Sequence, residues 1–145
     1  MYILHISDTH GKHKLLQNLP KADVIIHSGD VAFLDTENEV FEFLEWFCDL
    51  DYAHKIFVAG NHDNCLYGSK IEGLPNNVHC LYYSGVEIDG VNFFGIPYFA
   101  EDDISGILSK SIAQIPTNTN VLISHEPPYG ILDTTDNTYG SPDLL

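Results

Sequence analysis

Positive charge is scarce in this 145-residue sequence, which has six Lys and Arg residues in total against twenty-one Asp and Glu. The formal net charge is therefore −15 at pH 7. Nucleic-acid grooves and proteins that bind anionic membranes need a basic surface, so this imbalance argues against both kinds of partner. We attribute most of the acidic excess to a solvated surface. An anionic substrate would need bound cations, which are often the largest local charges in a site.

Cysteine is also rare. Cys48, Cys65 and Cys80 are an odd number without CxxC spacing, which argues against a disulfide scaffold. The chain starts directly with strand-like residues, and it has no basic leader, no cleavage signal and no apolar run long enough to cross a bilayer. We therefore expect a cytoplasmic protein without membrane attachment.

No repeat, low-complexity tract or linker divides the chain, so its length indicates a single domain over residues 1–145. Short apolar runs predict strands at 2–7, 24–28 and 55–59. Helical spacing predicts helices at 12–19 and after Thr36, which forms a capping box with Glu39. This βαβαβ order favours an α/β fold with a parallel sheet and helices on its faces.

The second half of the chain has a different style. Its pattern predicts strands at 78–83, 86–88, 91–95 and 121–124, and a helix at about 101–114. Asp89-Gly90, between two of these strands, is a strong hairpin signal.

Polar side chains follow four of the predicted strands at the point where each strand ends. The motifs are Asp8-Thr9-His10, Gly29-Asp30, Gly60-Asn61-His62-Asp63 and Ser124-His125. Each motif alone has an ordinary reading as a loop, a turn or a helix cap, with the tetrapeptide as the exception. Open α/β sheets bind ligands at the carboxyl ends of their strands, so the four motifs together predict a metal centre.

The residue types indicate which ions would fit. Asp8 and His10 are two residues apart, so in an extended segment both side chains face one side. Asp30 has two oxygens and can bridge two ions, while Asn61 offers a carbonyl oxygen and His125 an imidazole nitrogen. Mixed oxygen and nitrogen ligation suits Mn, Fe, Zn, Co or Ni, and we favour Mn. Two ions that share Asp30 would lie ~3.5–4 Å apart.

Taken together, these motifs resemble the calcineurin-like metallophosphoesterase superfamily. The stretches 7–11 and 125–133 are similar to its branch of small metallophosphodiesterases, and the likeness covers essentially the whole chain. It implies a two-sheet α/β sandwich flanked by helices, with a binuclear metal centre between the sheets. The implied activity is hydrolysis of a small phosphodiester or phosphomonoester by a hydroxide that bridges the two ions.

The resemblance also implies roles for single residues. The first ion would be held by Asp8, His10 and Asp30, and the second by Asp30, Asn61 and His125. His62 would protonate the leaving oxygen, with Asp63 as its orienting partner. His13 is close enough along the chain to contact the substrate, although a position at a helix start explains it equally well.

A final Gly-His-x-His motif, which normally adds one ligand to each ion in this superfamily, does not occur in the sequence. Residues 141–143 look like a helix start, and the chain ends just after them, so we expect a domain that lacks its C-terminal part. Three hypotheses follow: an active phosphoesterase, a catalytically weak or inactive member with partial metal binding, and a homodimer in which another copy covers the open apolar surface.

Overall fold

The computed structural model describes residues 1–133 and 140–145 and has two β-sheets. The first sheet is parallel and contains, in spatial order, β1 (Ile3–Ile6), β2 (Val24–His27), β3 (His54–Phe57) and β4 (Val78–Cys80). All four residues of β2 are buried, since both faces of this sheet are covered. The parallel arrangement agrees with the βαβαβ pattern of the sequence.

The second sheet contains β5 (Ser84–Ile88), β6 (Val91–Ile96) and β7 (Val121–Ser124). β5 and β6 are antiparallel, and β7 pairs with β6 in parallel. The connection between β5 and β6 is Asp89-Gly90, whose φ angles of 49° and 78° are both positive. This backbone is typical of a two-residue hairpin turn, so the predicted hairpin is confirmed.

Side-chain alternation along the strands separates the core into layers. Ile25 and Phe57 pack against α1 (Glu37–Asp49), while Val24 and Ile56 pack against Phe93 of the second sheet. The next residue of β6, Phe94, points outward to α3 (Ile107–Ile112). The layers are therefore helix, sheet, sheet and helix, which confirms the expected sandwich flanked by helices.

Two helix predictions were wrong in extent. The segment predicted as a helix at 12–19 contains only a 3-10 turn, His13–Leu15, and Leu15 is 74% exposed. A segment this short is not a stable helix unless packing supports its apolar face. The helix predicted at about 101–114 is two short helices, α2 (Ala100–Ser105) and α3, because Gly106 between them has a φ of 70°. The C-terminal helix start forms a 3-10 turn, Pro142–Leu144.

In the part of the chain that the structure describes, no helix combines the length and the apolar composition needed to cross a membrane.

Candidate metal centre

The strand register places three of the predicted motifs together at the carboxyl-terminal ends of the strands of the first sheet. Ile6, His27 and Phe57, which end β1, β2 and β3, are partners in adjacent strands. Beyond the strand ends, backbone hydrogen bonds still join the loops. The Asp8 N–H donates to the Gly29 backbone carbonyl and the His10 N–H to the Asp30 backbone carbonyl, both at 3.0 Å. The loops that carry the candidate ligands therefore lie side by side.

Asp8, His10 and Asp30 form a cluster in which one ligand atom from each residue lies within 4.8 Å of the others. His10 Nε2 is 4.0 Å from Asp8 Oδ1 and 3.7 Å from Asp30 Oδ2. The Asp8 side chain is 56% exposed, whereas the Asp30 side chain is only 5% exposed. A cation here would be anchored on a buried carboxylate and open to solvent on the Asp8 side.

The second predicted ligand set lies on the other side of the same carboxylate. His125 Nε2 is 3.5 Å from Asp30 Oδ1 and 3.0 Å from Asn61 Oδ1. The two oxygens of Asp30 thus face two different imidazoles, Oδ2 toward His10 and Oδ1 toward His125. The structure therefore brings together all five residues that the sequence predicted as ligands.

Both imidazoles are oriented by backbone carbonyls. His10 Nδ1 lies 3.1 Å from the Ala32 oxygen, and His125 Nδ1 lies 2.9 Å from the Ser28 oxygen. A carbonyl can only accept, so each Nδ1 donates its hydrogen, and the ring is held with Nε2 directed toward Asp30. Histidines that bind metals usually have this arrangement. At His125, Nε2 also lies 3.0 Å from Asn61 Oδ1. A nitrogen and an oxygen that converge in this way could both bind one cation, so the donor set fits divalent ions.

Three of the candidate ligands have a backbone conformation that L-residues rarely adopt. The φ angles of Asp8, His10 and Asp30 are 54°, 44° and 59°. Asp and His tolerate this left-handed region better than most residues, but it still costs conformational energy. Such conformations persist where the surrounding structure determines them, and they concentrate at functional sites.

Two glycines allow the loops to approach one another. A Cβ on Gly60 would lie 2.2 Å from Asp30 Oδ1. A Cβ on Gly29, whose φ is 109°, would lie 2.7 Å from His125 Nδ1 and 2.8 Å from the Gly60 nitrogen. These positions therefore exclude every other residue type unless the loops move apart.

His62 and Asp63 do not pair as expected. His62 Nδ1 lies 3.3 Å from the Phe33 oxygen, and its ring packs edge-on against His10 with centroids 5.1 Å apart. Asp63 is fully buried, and its carboxylate accepts hydrogen bonds from the N–H groups of Val31, Ala32 and Gly60 at 3.2, 2.9 and 2.8 Å. The orienting partner of His62 is thus the Phe33 carbonyl, while Asp63 connects the loops after β2 and β3.

Burial raises the pKa of Asp63, and the three backbone N–H donors act in the opposite direction. The carboxylate is held by these dipoles rather than by a positive side chain. This corrects the expectation that Asp63 orients His62.

His13 begins the 3-10 turn His13–Leu15, which agrees with the second of its two readings, a helix start. Its ring is 1% exposed and packs beside Phe43 and Trp46, with centroid distances of 5.7 and 5.1 Å. Burial lowers the pKa of this imidazole. A ring buried between aromatic side chains is not available to a substrate, so we leave His13 out of the candidate site.

The main-chain acceptors that orient the histidines could not be predicted, since a carbonyl group has no signature in a sequence. Phe33 was not predicted at the site either, although it is 59% exposed and its ring lies edge-on to His10, with centroids 6.1 Å apart. His27 lies within the strand predicted at 24–28, directly before Ser-Gly-Asp. This position was a signal, because buried polar atoms are usually hydrogen-bonded.

Comparison with known proteins gives a consistent picture. The calcineurin-like phosphoesterase family model matches residues 1–144. A UPF0046 protein of Caenorhabditis elegans is 33% identical, in an alignment that covers 99% of this chain and 57% of the relative. The human metallophosphoesterase domain-containing protein 1 is 31% identical, with 88% and 49% covered. The chain thus spans about half the length of the curated relatives it matches.

Proposed function

The chain belongs to the calcineurin-like phosphoesterase family, and from this premise we propose that it hydrolyses a small phosphodiester or phosphomonoester with two divalent cations, manganese favoured. The observation that carries this proposal is the placement of Asp30. One buried carboxylate has Oδ2 3.7 Å from His10 Nε2 and Oδ1 3.5 Å from His125 Nε2, as a bridging ligand requires.

The proposed ligands are Asp8, His10 and Asp30 for the first ion and Asp30, Asn61 and His125 for the second. When bound, the ions would supply an activated water and neutralise charge on the phosphoryl oxygens. The protein holds the donors in place beforehand, since Nδ1 of each imidazole is already fixed by a backbone carbonyl.

His62 is the proposed proton donor to the leaving oxygen. Its Nδ1 donates to the Phe33 carbonyl, which leaves Nε2 as the atom that holds and releases the proton. The half-buried ring lies against His10, so the donor is beside the first proposed ion position. We expect the ring to be protonated before the reaction, because a neutral Nε2 has no proton to give.

Asp63 has a different proposed role. By accepting from Val31, Ala32 and Gly60, its carboxylate holds the loop that follows Asp30 against the loop that carries Asn61. This supports the distance between the bridging carboxylate and the second ligand set. The effect on catalysis would be indirect, through the geometry of the ligands.

The net charge of −15 favours a small substrate over a polyanion, because the acidic surface repels an extended nucleic acid. We expect the protein to act in the cytoplasm.

We also propose a homodimer. In the described part of the chain β1 and β7 each pair with one strand, and a groove of about 260 Å³ that includes Ile3 and Leu122 lies between them. Light scattering that finds a monomer at all concentrations would contradict the dimer.

The decisive experiment is hydrolysis of bis(p-nitrophenyl) phosphate and p-nitrophenyl phosphate with added Mn²⁺, beside metal analysis of the same preparation. We expect two Mn per chain and turnover that EDTA removes. His62→Gln should keep the metal and lose roughly 10²–10⁴-fold in kcat, the usual contribution of a positioned proton donor. Substoichiometric metal and no turnover would instead support the weak or inactive member of the family.

A further inference from the structure

His27 is a fully buried imidazole at the end of β2, three residues before Asp30. Both of its ring nitrogens have partners. Nδ1 lies 3.2 Å from the Gly29 nitrogen, and Nε2 lies 3.0 Å from Thr9 Oγ1. One ring therefore contacts the turn that carries Asp30 and the loop that carries Asp8 and His10.

The direction of these hydrogen bonds follows from their donors. The Gly29 N–H can only donate, so His27 Nδ1 accepts and has no hydrogen. Burial lowers the pKa of His27 to about 3, so the ring is neutral and its hydrogen is on Nε2. Nε2–H then donates to the Thr9 hydroxyl. The contact is thus an oriented chain from backbone N–H to imidazole to hydroxyl.

The position of Thr9 explains why these two hydrogen bonds matter for the candidate site. Thr9 is 8% exposed and stands between two candidate ligands, both of which have positive φ angles, as does Asp30 beside Gly29. Left-handed residues need surrounding structure to hold them. The His27 ring is itself held by Phe43 of α1, with centroids 5.0 Å apart. The strained loops are therefore connected to the rigid core through one side chain.

We propose that Thr9 and His27 are positioning residues, a buried brace that holds the Asp8–His10 loop and the Gly29–Asp30 turn at the separation that a shared cation requires. The inference rests on the proposed function for its purpose. It adds two residues that act through the ligands and touch no substrate. Removing a partner that orients ligands typically lowers metal affinity by about 10–100-fold.

Thr9 offers a matched pair of variants. Thr9→Val keeps the shape and removes the hydroxyl, whereas Thr9→Ser keeps the hydroxyl and removes the methyl group. In calorimetric titration with Mn²⁺, we expect Thr9→Val to bind about 10-fold more weakly or worse and Thr9→Ser to stay close to wild type. Wild-type affinity in Thr9→Val, or equal losses in both variants, would overturn the brace.

A control separates positioning from stability. The Tyr52 hydroxyl donates to the Pro20 backbone carbonyl at 2.7 Å. These residues precede β3 and β2, so the bond lies at the amino-terminal ends of the strands, opposite to the candidate site. Tyr52→Phe removes one part-buried hydrogen bond and should lower the folding equilibrium constant about 5-fold, the typical net effect of losing such a bond. Its Mn²⁺ affinity should be unchanged. A loss similar to that of Thr9→Val would show that affinity merely follows stability.

A second readout needs no metal. The backbone N–H groups of Asp8 and His10 donate to the backbone carbonyls of Gly29 and Asp30, and so join the two loops that the brace holds together. In the metal-free protein, Thr9→Val should lower their hydrogen-exchange protection about 10-fold, with β5 and β6 unchanged. Unchanged protection at both amides would overturn the brace. If the wild type binds no Mn²⁺, the metal part of the proposed function fails, and the exchange result still decides on the brace.

His27→Phe completes a double-mutant cycle. The phenyl ring keeps the contact with Phe43 and removes both hydrogen bonds, so Thr9→Val should have no further effect on exchange or affinity in that background. Additive effects of the two substitutions would contradict a direct coupling. The Thr9 pair remains decisive if His27→Phe does not fold.

Discussion

The two sides of the candidate centre are constructed in different ways. The first side, Asp8 and His10 with Asp30, lies on loops that continue neighbouring strands of one sheet and are joined by backbone hydrogen bonds. The second side needs both sheets, because His125 follows β7 while Asn61 follows β3. Its imidazole reaches the first sheet through the Ser28 carbonyl at 2.9 Å. Strand pairing thus determines the first side, and the docking of two sheets determines the second.

Exposure follows the same division. The Asp8 side chain is 56% exposed, and the His125 side chain is 10% exposed. We expect the first position to exchange its ion with solvent more readily, and the second to depend more on the packing of Phe93 and Ile123 between the sheets. Asp30 is the only candidate ligand that both sides share.

The largest expected effect therefore comes from Asp30→Asn. Loss of the bridging charge should weaken Mn²⁺ binding on both sides by 10³-fold or more, about 4 kcal/mol at 1.4 kcal/mol per factor of ten. Calorimetry and metal analysis measure this. Asp89→Asn is a matched control, since Asp89 has a φ of 49° and is exposed in the hairpin. Full metal content in Asp30→Asn would refute the shared carboxylate.

The next effect concerns the contact between the sides. Gly29→Ala would place a Cβ 2.7 Å from His125 Nδ1 at a φ of 109°. We expect a loss of about 3 kcal/mol in the free energy of unfolding, from overpacking and the left-handed backbone together. Gly68→Ala, with a φ of 65° and no neighbour within 4 Å, should cost only about 1 kcal/mol. Urea unfolding that gives equal losses would mean that the loops separate easily.

A smaller effect distinguishes the two positions. His125→Asn removes a ligand from the second side alone, so Mn²⁺ stoichiometry should fall from two to one while the remaining affinity changes by less than about 3-fold. Asp8→Asn should weaken the first side in the same selective way. Simultaneous loss of both ions in His125→Asn would show that the sides are coupled more tightly than their separate construction suggests.

The smallest effect, measured over one pH unit, is a pH dependence on the first side. Burial, the largest cause, lowers the pKa of His27 from 6.5 to about 3. Between these values the unfolded chain binds a proton that the folded protein does not, so acidification reduces stability. The slope between the two pKa values should be about 1.4 kcal/mol per pH unit. The contribution of the neutral His27 ring to stability is fully present above pH 6.5 and is lost as the pH falls toward 3. In urea unfolding across this range, the stability of His27→Phe should depend less steeply on pH than that of the wild type. An unchanged pH dependence would contradict a buried, neutral His27.

Local patterns predicted most of the fold. Strands β1, β2 and β3 and the hairpin turn lie within one or two residues of their predicted positions, because apolar runs and turn residues act over a few neighbours. The helix expected at 12–19 failed for the opposite reason. Its leucines had helical spacing, but only packing can support so short a helix, and Leu15 faces solvent.

The candidate site divides in the same way. Strand-end position and residue type were enough to choose Asp8, His10, Asp30, Asn61 and His125, and the structure brings these side chains together. The role of Asp63 was misjudged, since its neighbour in sequence, His62, is not its neighbour in hydrogen bonding. Of the two readings of His13, the substrate contact was wrong, because burial by Trp46 depends on where α1 packs.

The sequence alone determined which residues could hold cations, because ligand chemistry belongs to the side chain and strand ends are visible in local apolar patterns. Only the tertiary structure decided how these residues are oriented. His62 is held by a carbonyl 29 residues away and His125 by one 97 residues away. Every residue has such a carbonyl, so the fold selects among chemically equal acceptors by the distances that it creates.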